Sequence, residues 1–301
     1  MNPKPSSNNL HARLLGFATV MLWASGFVFT GVGVHHFSPF PLGFLRYGTA
    51  TLALIGVGMV KRVGLPAPKD IPLFILLGAL GFALYTLAFN HAMTTISAAT
   101  ASIVTATVPI MTAVASSLMF AERLRRAQWI AVGIEFGGIV LLNLDGGNFS
   151  LESGLVWMLC AAISFAAYNI TLRKTARRYS ALQSTIYSIV AGALLLLPFA
   201  PQALKELSAA PLQAVAVVLH LGLVPSALGF ILWSKACAIT TRLSDVTNFM
   251  FVTPLLSTSL DFVVTGSVPS MGTIVGGIVV LAGLVLFNRY RNGFALKGSS
   301  V

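Results

Sequence analysis

The sequence predicts an all-α polytopic membrane protein with ten transmembrane helices, built as two inverted five-helix repeats with both termini in the cytoplasm. Three observations predict this fold. Of the 301 residues, 56% are hydrophobic and only 9% are charged, whereas a soluble domain has about 25% charged residues. The segment 83–143 recurs 145 positions later. The basic residues also fall almost entirely on one side of the predicted membrane.

Ten apolar segments are about as long as a membrane span, which needs about 20 residues. In chain order they cover residues 14–34, 40–60, 71–91, 97–120, 127–143, 153–172, 181–200, 213–236, 244–265 and 270–288. The connections between them are short, so no soluble domain is expected. The turn-rich stretch 145–148 separates the first repeat (residues 1–147, spans 1–5) from the second (148–301, spans 6–10).

The repeat is carried by identical residues at the offset of 145, among them Pro109 with Pro254 and Gly138 with Gly283. Each repeat holds an odd number of spans, so the second enters the bilayer from the opposite side. Inverted repeats of this kind place a solute path near the bilayer midplane and open it alternately to each side.

The net charge of +11 reflects membrane orientation and predicts no nucleic-acid partner. With the N-terminus in the cytoplasm and ten alternating spans, every basic residue except Lys205 and Arg46 lies on the cytoplasmic side, which is 17 of 19. Cytoplasmic loops of membrane proteins carry such an excess of Lys and Arg. We therefore expect a multi-pass protein of the inner (plasma) membrane, with the lipid bilayer as its solvent.

Pro109 and Pro254 lie near the middle of spans 4 and 9. Proline removes a backbone donor and frees a carbonyl of the preceding turn, here that of Thr105 or Met250. A matched pair of such sites predicts a hinge or exposed polar backbone at the membrane centre. A static kink that only improves packing is the alternative.

Several short motifs together resemble the drug/metabolite transporter superfamily. They are Trp23-Ala24-Ser25-Gly26-Phe27, Phe44-Leu45-Arg46-Tyr47, Phe120-Ala121-Glu122-Arg123-Leu124, and Gln128-Trp129 followed by Gly137-Gly138. The resemblance covers nearly the whole chain as two EamA-type repeats and is greatest to YddG-type exporters of aromatic and other amino acids. The acidic residue after span 4, Glu122, has Ser267 as its repeat counterpart, which puts a symmetric pair of ionic gates in doubt.

Charged and polar side chains within the spans are the first candidates for solute binding, because charges in a bilayer are costly. Arg46 can bind a solute carboxylate or serve as a structural arginine. Glu135 is a candidate for proton coupling, or a structural partner of another span. Thr105 lies on one polar stripe, and Ser257 and Asp261 lie on its repeat counterpart; such stripes face a cavity or join helices. On the cavity interpretation, Asp261 attracts a substrate ammonium.

Aromatic residues supply the apolar part of the predicted site. Trp23 and Phe27 share a face of span 1, Phe165 and Tyr168 share a face of span 6, and Tyr85 lies on span 3. Apolar pockets with a few placed polar groups are usual for small molecules. Ordinary packing or lipid contact is the alternative for each residue.

These features predict a secondary transporter that exports small metabolites across the inner membrane by alternating access through a central cavity. Arg46 as the single intramembrane cation disfavours polyanions, so neutral amino acids, including aromatic ones, are the expected substrates, as the resemblance also implies. Efflux of drugs or other neutral or cationic metabolites is the alternative, and a lipid flippase is a weaker one. We find no P-loop, no metal-ligand cluster and no nucleophile–base pair, so neither enzymatic activity nor a cofactor is expected. A monomer is the working expectation.

Overall fold

The computed structural model describes residues 7–112, 114, 126–141, 144–145, 148–149, 153–172, 175, 178–239 and 248–291. Glu122 lies outside these residues. In the first half, the helices are α1 (Ser7–Gly33), α2 (Pro39–Val60), α3 (Pro68–Ala92), α4 (Ala98–Thr112) and α5 (Arg126–Leu141). A two-residue antiparallel pair, β1 (Leu144–Asp145) and β2 (Asn148–Phe149), follows.

The second half begins with α6 (Ser153–Leu172), α7 (Ala181–Leu195) and the short α8 (Ala200–Ala209). Helix α9 runs from Leu212–Leu221 through a π-helical turn at Gly222–Leu228 into Gly229–Ile239. A 3₁₀ turn at Asn248–Val252 leads into α10 (Thr253–Thr265), and α11 (Met271–Arg291) completes the set. Apart from the short hairpin, every regular element of the described residues is helical, as the sequence predicts.

Five described helices are long and apolar enough to cross a membrane: α1 from Leu10, α2, α3, α6 and α9. The bent pair α7 and α8 makes a sixth, while α4 and α11 are shorter apolar helices. A multi-span membrane protein is therefore observed. The total of ten spans and the cytoplasmic position of both termini stay predictions.

Local sequence explains where several of these helices begin and bend. Ser180 caps α7 by accepting a hydrogen bond from the Gln183 backbone, and the Gln183 side chain accepts one in return from the Ser180 backbone. Predicted span 7, residues 181–200, is not one straight helix, because the chain bends by 49° between α7 and Leu197–Ala209. Pro198 lies in that bend, where a proline ring cannot continue the preceding helix.

Helices α3 and α9 share an irregularity that the sequence does not announce. Each contains a π-helical turn, at Ala79–Leu84 in α3 and at Gly222–Leu228 in α9. Moved by the repeat offset of 145, the first turn overlaps the second. Such turns insert an extra residue into a helix and occur frequently at functional sites.

The last helices of the two halves, α5 and α11, approach backbone to backbone through one glycine each. A Cβ on Gly138 would lie 2.7 Å from the Val280 backbone nitrogen, and one on Gly283 would lie 3.0 Å from the Glu135 nitrogen. Gly138 and Gly283 are repeat counterparts. Small residues of this kind let membrane helices pack closely, so the same glycine position serves both sides of the crossing.

Candidate functional site

A small cavity lies where helices from both halves converge: α1, α2, α3, α4, α6, α9 and the start of α10. We call it the central cavity. Aromatic, small and polar residues line it: Trp23, Gly26, Phe27, Arg46, Tyr47, Tyr85, Phe89, Ser102, Thr105, Ala106, Phe165, Phe230, Met250 and Thr253. Its volume is about 40 Å³, room for a few water molecules and for no amino acid.

Arg46 is the only charged residue among the described residues that line the central cavity. It is 6% exposed, and its Nε donates a 2.7 Å hydrogen bond to Ser226 Oγ on α9. Its guanidinium carbon lies 5.4 Å from the centre of the Tyr47 ring. No carboxylate among the described residues pairs with it. The bond to Ser226 therefore fixes the side chain and leaves the two terminal nitrogens for another acceptor.

An aromatic wall surrounds the rest of the cavity. Trp23 contacts Phe230 with 5.3 Å between ring centroids and donates from Nε1 to the Pro225 carbonyl at 3.1 Å. Tyr85 stacks on Phe89 at 5.4 Å and contacts Phe165 at 5.2 Å. Rings held by one another in this way form a rigid apolar surface that suits another ring or an aliphatic side chain.

Pro109 and Pro254 each lie just after a break in a helix, and both breaks lie at the central cavity. In α4 a turn at Ala106–Thr107 separates two helical segments, and Pro109 lies at the start of the second. In α10 the 3₁₀ turn precedes Pro254, which occupies the first helical turn. Prolines at such positions lose no helical hydrogen bond. The sequence predicts mid-helix kinks at the two prolines, whereas in the structure each lies at the start of a helical segment. Their role as hinges stays a prediction.

Thr105 immediately precedes the break in α4, Met250 lies within the 3₁₀ turn before Pro254, and both line the central cavity. They are repeat counterparts. Irregular backbone at membrane depth is tolerated where it lines a cavity. The structure therefore brings the matched irregular segments of the two halves to one place.

Six of the nine residues predicted to bind solute line the central cavity: Trp23, Phe27, Arg46, Tyr85, Thr105 and Phe165.

Tyr168, Ser257 and Asp261 do not line the central cavity. Tyr168 lies behind it, stacked on Phe165 at 5.5 Å. Ser257 also lies one layer back, where its hydroxyl donates to Ser102 Oγ at 2.6 Å. Asp261 lies one helical turn farther along α10 and accepts from Thr265 Oγ1 at 2.9 Å. Direct solute contact through these three residues remains an untested prediction.

Ser102 and Thr253 line the cavity although the sequence interpretation did not select them. A usable signal existed for both. Ser102 precedes Thr105 by three residues and Thr253 precedes Ser257 by four, so each shares a helical face with a predicted site residue.

Glu135 lies away from the central cavity, in a lateral groove between α4, α5 and α6. Its side chain is 1% exposed, and Oε1 has no hydrogen-bond partner in the part of the chain that the structure describes.

Two carboxylates join the halves at opposite ends of the helices. Asp70, just before the main part of α3, accepts from Tyr179 at 2.7 Å and pairs with Arg178 at 3.1 Å, both in the α6–α7 connection. The bond to Asp70 raises the pKa of the Tyr179 hydroxyl above its ordinary value. Glu206 on α8 accepts from the Ser38 backbone at 2.9 Å, just before α2. We call these contacts the Asp70 latch and the Glu206 latch.

The two latches are related by the repeat. Tyr179-Ser180 corresponds to Phe37-Ser38 at an offset of 142. In each latch, the residues that lead into the second helix of one half bind a carboxylate from the helical segment that follows the second helix of the other half. This arrangement provides one contact between the halves at each end of the molecule.

Comparison with known proteins identifies the family. The model of the EamA-like transporter family matches residues 11–144 and 152–289. The chain belongs to the EamA-like transporter family. The resemblance to the drug/metabolite transporter superfamily, with two EamA repeats, is therefore confirmed. The repeat boundary after residue 147 stays a prediction.

Three relatives of this EamA-like transporter carry informative names. The probable terminal-alkyne amino-acid exporter of Streptantibioticus cattleyicolor is 30% identical, over 94% of this chain and 95% of that protein. The probable amino-acid metabolite efflux pump of Salmonella typhimurium is 26% identical, over 90% and 93%. The uncharacterized inner membrane transporter YedA of Escherichia coli is 28% identical, over 87% and 81%.

A solved crystal structure has the same fold. It is 21% identical to the EamA-like transporter, aligns with a TM-score of 0.64, and covers 94% of this chain and 99% of the solved one. The protein is thus a multi-pass inner-membrane transporter, and the predicted localisation is confirmed.

Proposed function

We propose that the protein exports neutral amino acids, aromatic ones included, by alternating access through the central cavity. The observation that carries this proposal is the guanidinium of Arg46, which Ser226 holds within an aromatic wall and which has no carboxylate partner among the described residues. An α-carboxylate supplies the missing acceptor in a geometry that suits arginine, which binds carboxylates through two parallel bonds.

The rest of a zwitterion has matching groups around the same cavity. Hydroxyl groups of Ser102, Thr105 and Thr253 line it, and their oxygens accept hydrogen bonds from an ammonium. The rings of Trp23 and Phe165 offer apolar contact to the side chain. Since no carboxylate among the described residues lines the cavity, a purely cationic drug would meet Arg46 without a counter-charge, which favours the zwitterion.

The size of the cavity and the two latches support alternating access. A volume of about 40 Å³ holds no amino acid, so the helices must separate before a solute is bound. The restarted helices at Pro109 and Pro254 are the natural points for that movement, because their backbone is already interrupted. Release of the Asp70 latch or of the Glu206 latch would open one end while the other remains closed.

The relatives support the substrate class by name, since two of them are termed an amino-acid exporter and an amino-acid metabolite efflux pump. Proton coupling through Glu135 stays a separate prediction, because Glu135 faces the lateral groove and not the central cavity.

The proposal is tested by reconstituting the protein in liposomes and measuring counterflow of labelled phenylalanine, leucine, glucose and a cationic dye. We expect exchange of the two amino acids and none of glucose. Movement of the dye without either amino acid would contradict the proposal.

A further inference from the structure

We propose that the lateral groove is a second binding site, separate from the central cavity, and that it takes amphiphilic ammonium compounds from the bilayer with Glu135 as their counter-ion. The groove is formed by Thr107, Ile110 and Met111 of α4, Val132, Glu135 and Phe136 of α5, and Leu159, Ile163 and Ala167 of α6, with further apolar neighbours. Its volume is about 490 Å³, within the range of small-molecule sites.

The groove opens toward lipid and not toward the central cavity. Ile163 and Phe136 line it and are 59% and 48% exposed, although both lie in the middle of apolar helices. On α6 the neighbouring Phe165 faces the central cavity, whereas Ala166 and Ala167 face the groove. Helices α4 and α6 therefore form a wall between the two sites, and a molecule enters the groove sideways from the bilayer.

Glu135 is the only charged residue among the described residues that line the groove. Its Oε1 is buried and has no hydrogen-bond partner among the residues described. No described cation pairs with the carboxyl group. The two threonines of the groove do not satisfy it, because Thr107 and Thr171 donate to carbonyls of their own helices, Val104 and Ala167.

The missing partner of the Glu135 carboxyl group indicates which ligand chemistry fits the groove. An ionisable side chain within a membrane is costly and is normally paired or used, and a buried polar group without a partner destabilises the fold. An ammonium offers up to three donors and the opposite charge, so it satisfies both carboxyl oxygens. The surrounding walls are aliphatic and aromatic, so the body of the ligand must be apolar. A primary amine on an alkyl or aryl chain meets both requirements.

The test compares octylammonium with the uncharged 1-octanol, both radiolabelled, binding to the protein in nanodiscs. Empty nanodiscs of the same lipid give the partition background. Glu135→Gln keeps the shape of the side chain and removes its charge. A hydrogen bond to a charged group contributes about 1.5–3 kcal/mol, so octylammonium affinity should fall roughly tenfold to a hundredfold. Octanol affinity should not change.

A second variant tests whether the probes bind in the groove, independently of the charge of Glu135. Ala167→Phe fills it and should weaken both probes, while Ile130→Phe, which adds the same ring to α5 at an exposed position outside the groove, should weaken neither. Thermal unfolding of each variant checks that it is folded.

Three results would overturn the inference. One is unchanged octylammonium binding in Glu135→Gln. Another is loss in Glu135→Gln but not in Ala167→Phe, which would place the ligand elsewhere. The third is equal binding of octanol and octylammonium with both lost in Ala167→Phe, which would make the groove a site for lipid chains.

Discussion

Replacing Arg46 by glutamine should abolish recognition of the substrate carboxylate while leaving the rest of the cavity in place. The wild-type guanidinium is 6% exposed, so its bonds form in a largely desolvated site. Nε is engaged by Ser226, which leaves the terminal nitrogens for the carboxylate. Two charge-assisted hydrogen bonds, each about 1.5–3 kcal/mol, give a loss of about 3 kcal/mol after partial compensation by glutamine. We therefore expect kcat/KM for phenylalanine to fall about 100-fold.

The assay measures transport of phenylalanine and of phenethylamine, which lacks the carboxylate, into the same liposomes. Arg46→Gln should lower transport of phenylalanine and should not lower transport of phenethylamine, because phenethylamine has no carboxylate for Arg46 to bind and its ammonium is repelled by the wild-type guanidinium. Ser226→Ala is the matched control: it keeps the charge and removes only the positioning bond, so a loss of about fivefold to tenfold is expected. Equal losses for both compounds, or wild-type transport of phenylalanine, would refute the role of Arg46. The melting temperature of each variant separates loss of binding from loss of fold.

Three further predictions follow from the packing. Gly138→Ala should destabilise the protein by about 1–3 kcal/mol in thermal unfolding, because its Cβ would meet the α11 backbone. Gly133→Ala is the control, since a Cβ there has nothing within 4 Å, and it should not destabilise the protein. Equal melting temperatures of the two variants would contradict the close approach of α5 and α11 at Gly138. Asp70→Ala and Glu206→Ala should each raise chemical labelling of a cysteine placed in the central cavity, one variant from one membrane face and the other variant from the opposite face. If both variants raised labelling from the same face, the two latches would not close opposite ends of the protein. Trp23→Phe loses the bond to the α9 π-turn and should lower stability by about 1 kcal/mol; an unchanged melting temperature would show that bond to be dispensable.

The length of the apolar segments predicted the position of most helices, because the thickness of the bilayer directly determines how long an apolar segment must be. Predicted span 6, residues 153–172, coincides with α6, and predicted span 2, residues 40–60, begins one residue after α2 and ends at the same residue. Hydropathy did not reveal the π-helical turns of α3 and α9, since an inserted residue in a wholly apolar helix changes neither length nor composition. The bend at Pro198 was visible as a proline, but the apolar residues continue through it.

Helical periodicity predicted part of the cavity lining. It failed for residues that share a helical face with a cavity residue but lie beside or beyond the cavity. Phe165 and Tyr168 share a face, yet the first lines the cavity and the second packs behind it, because a face is broad enough to contact two neighbours. The stripe from Met250 to Asp261 spans 11 residues, or about 16 Å at helical rise. Its two ends cannot reach one small cavity, which is why Met250 lines it and Asp261 does not. The partner of Arg46 lies 180 positions away, beyond any local pattern.

The glycine crossing of α5 and α11 has a consequence for the history of the chain. If the two halves descend from one gene, its product was a five-helix unit that met a second copy in antiparallel orientation. In such a symmetric pair the same surface is used on both sides, so a single change at the ancestral glycine would have altered the contact twice. Gene fusion would then have given each position its own codon and left Gly138 and Gly283 free to diverge. Both are glycine in this chain, as expected if each helix needs the other's backbone at that distance.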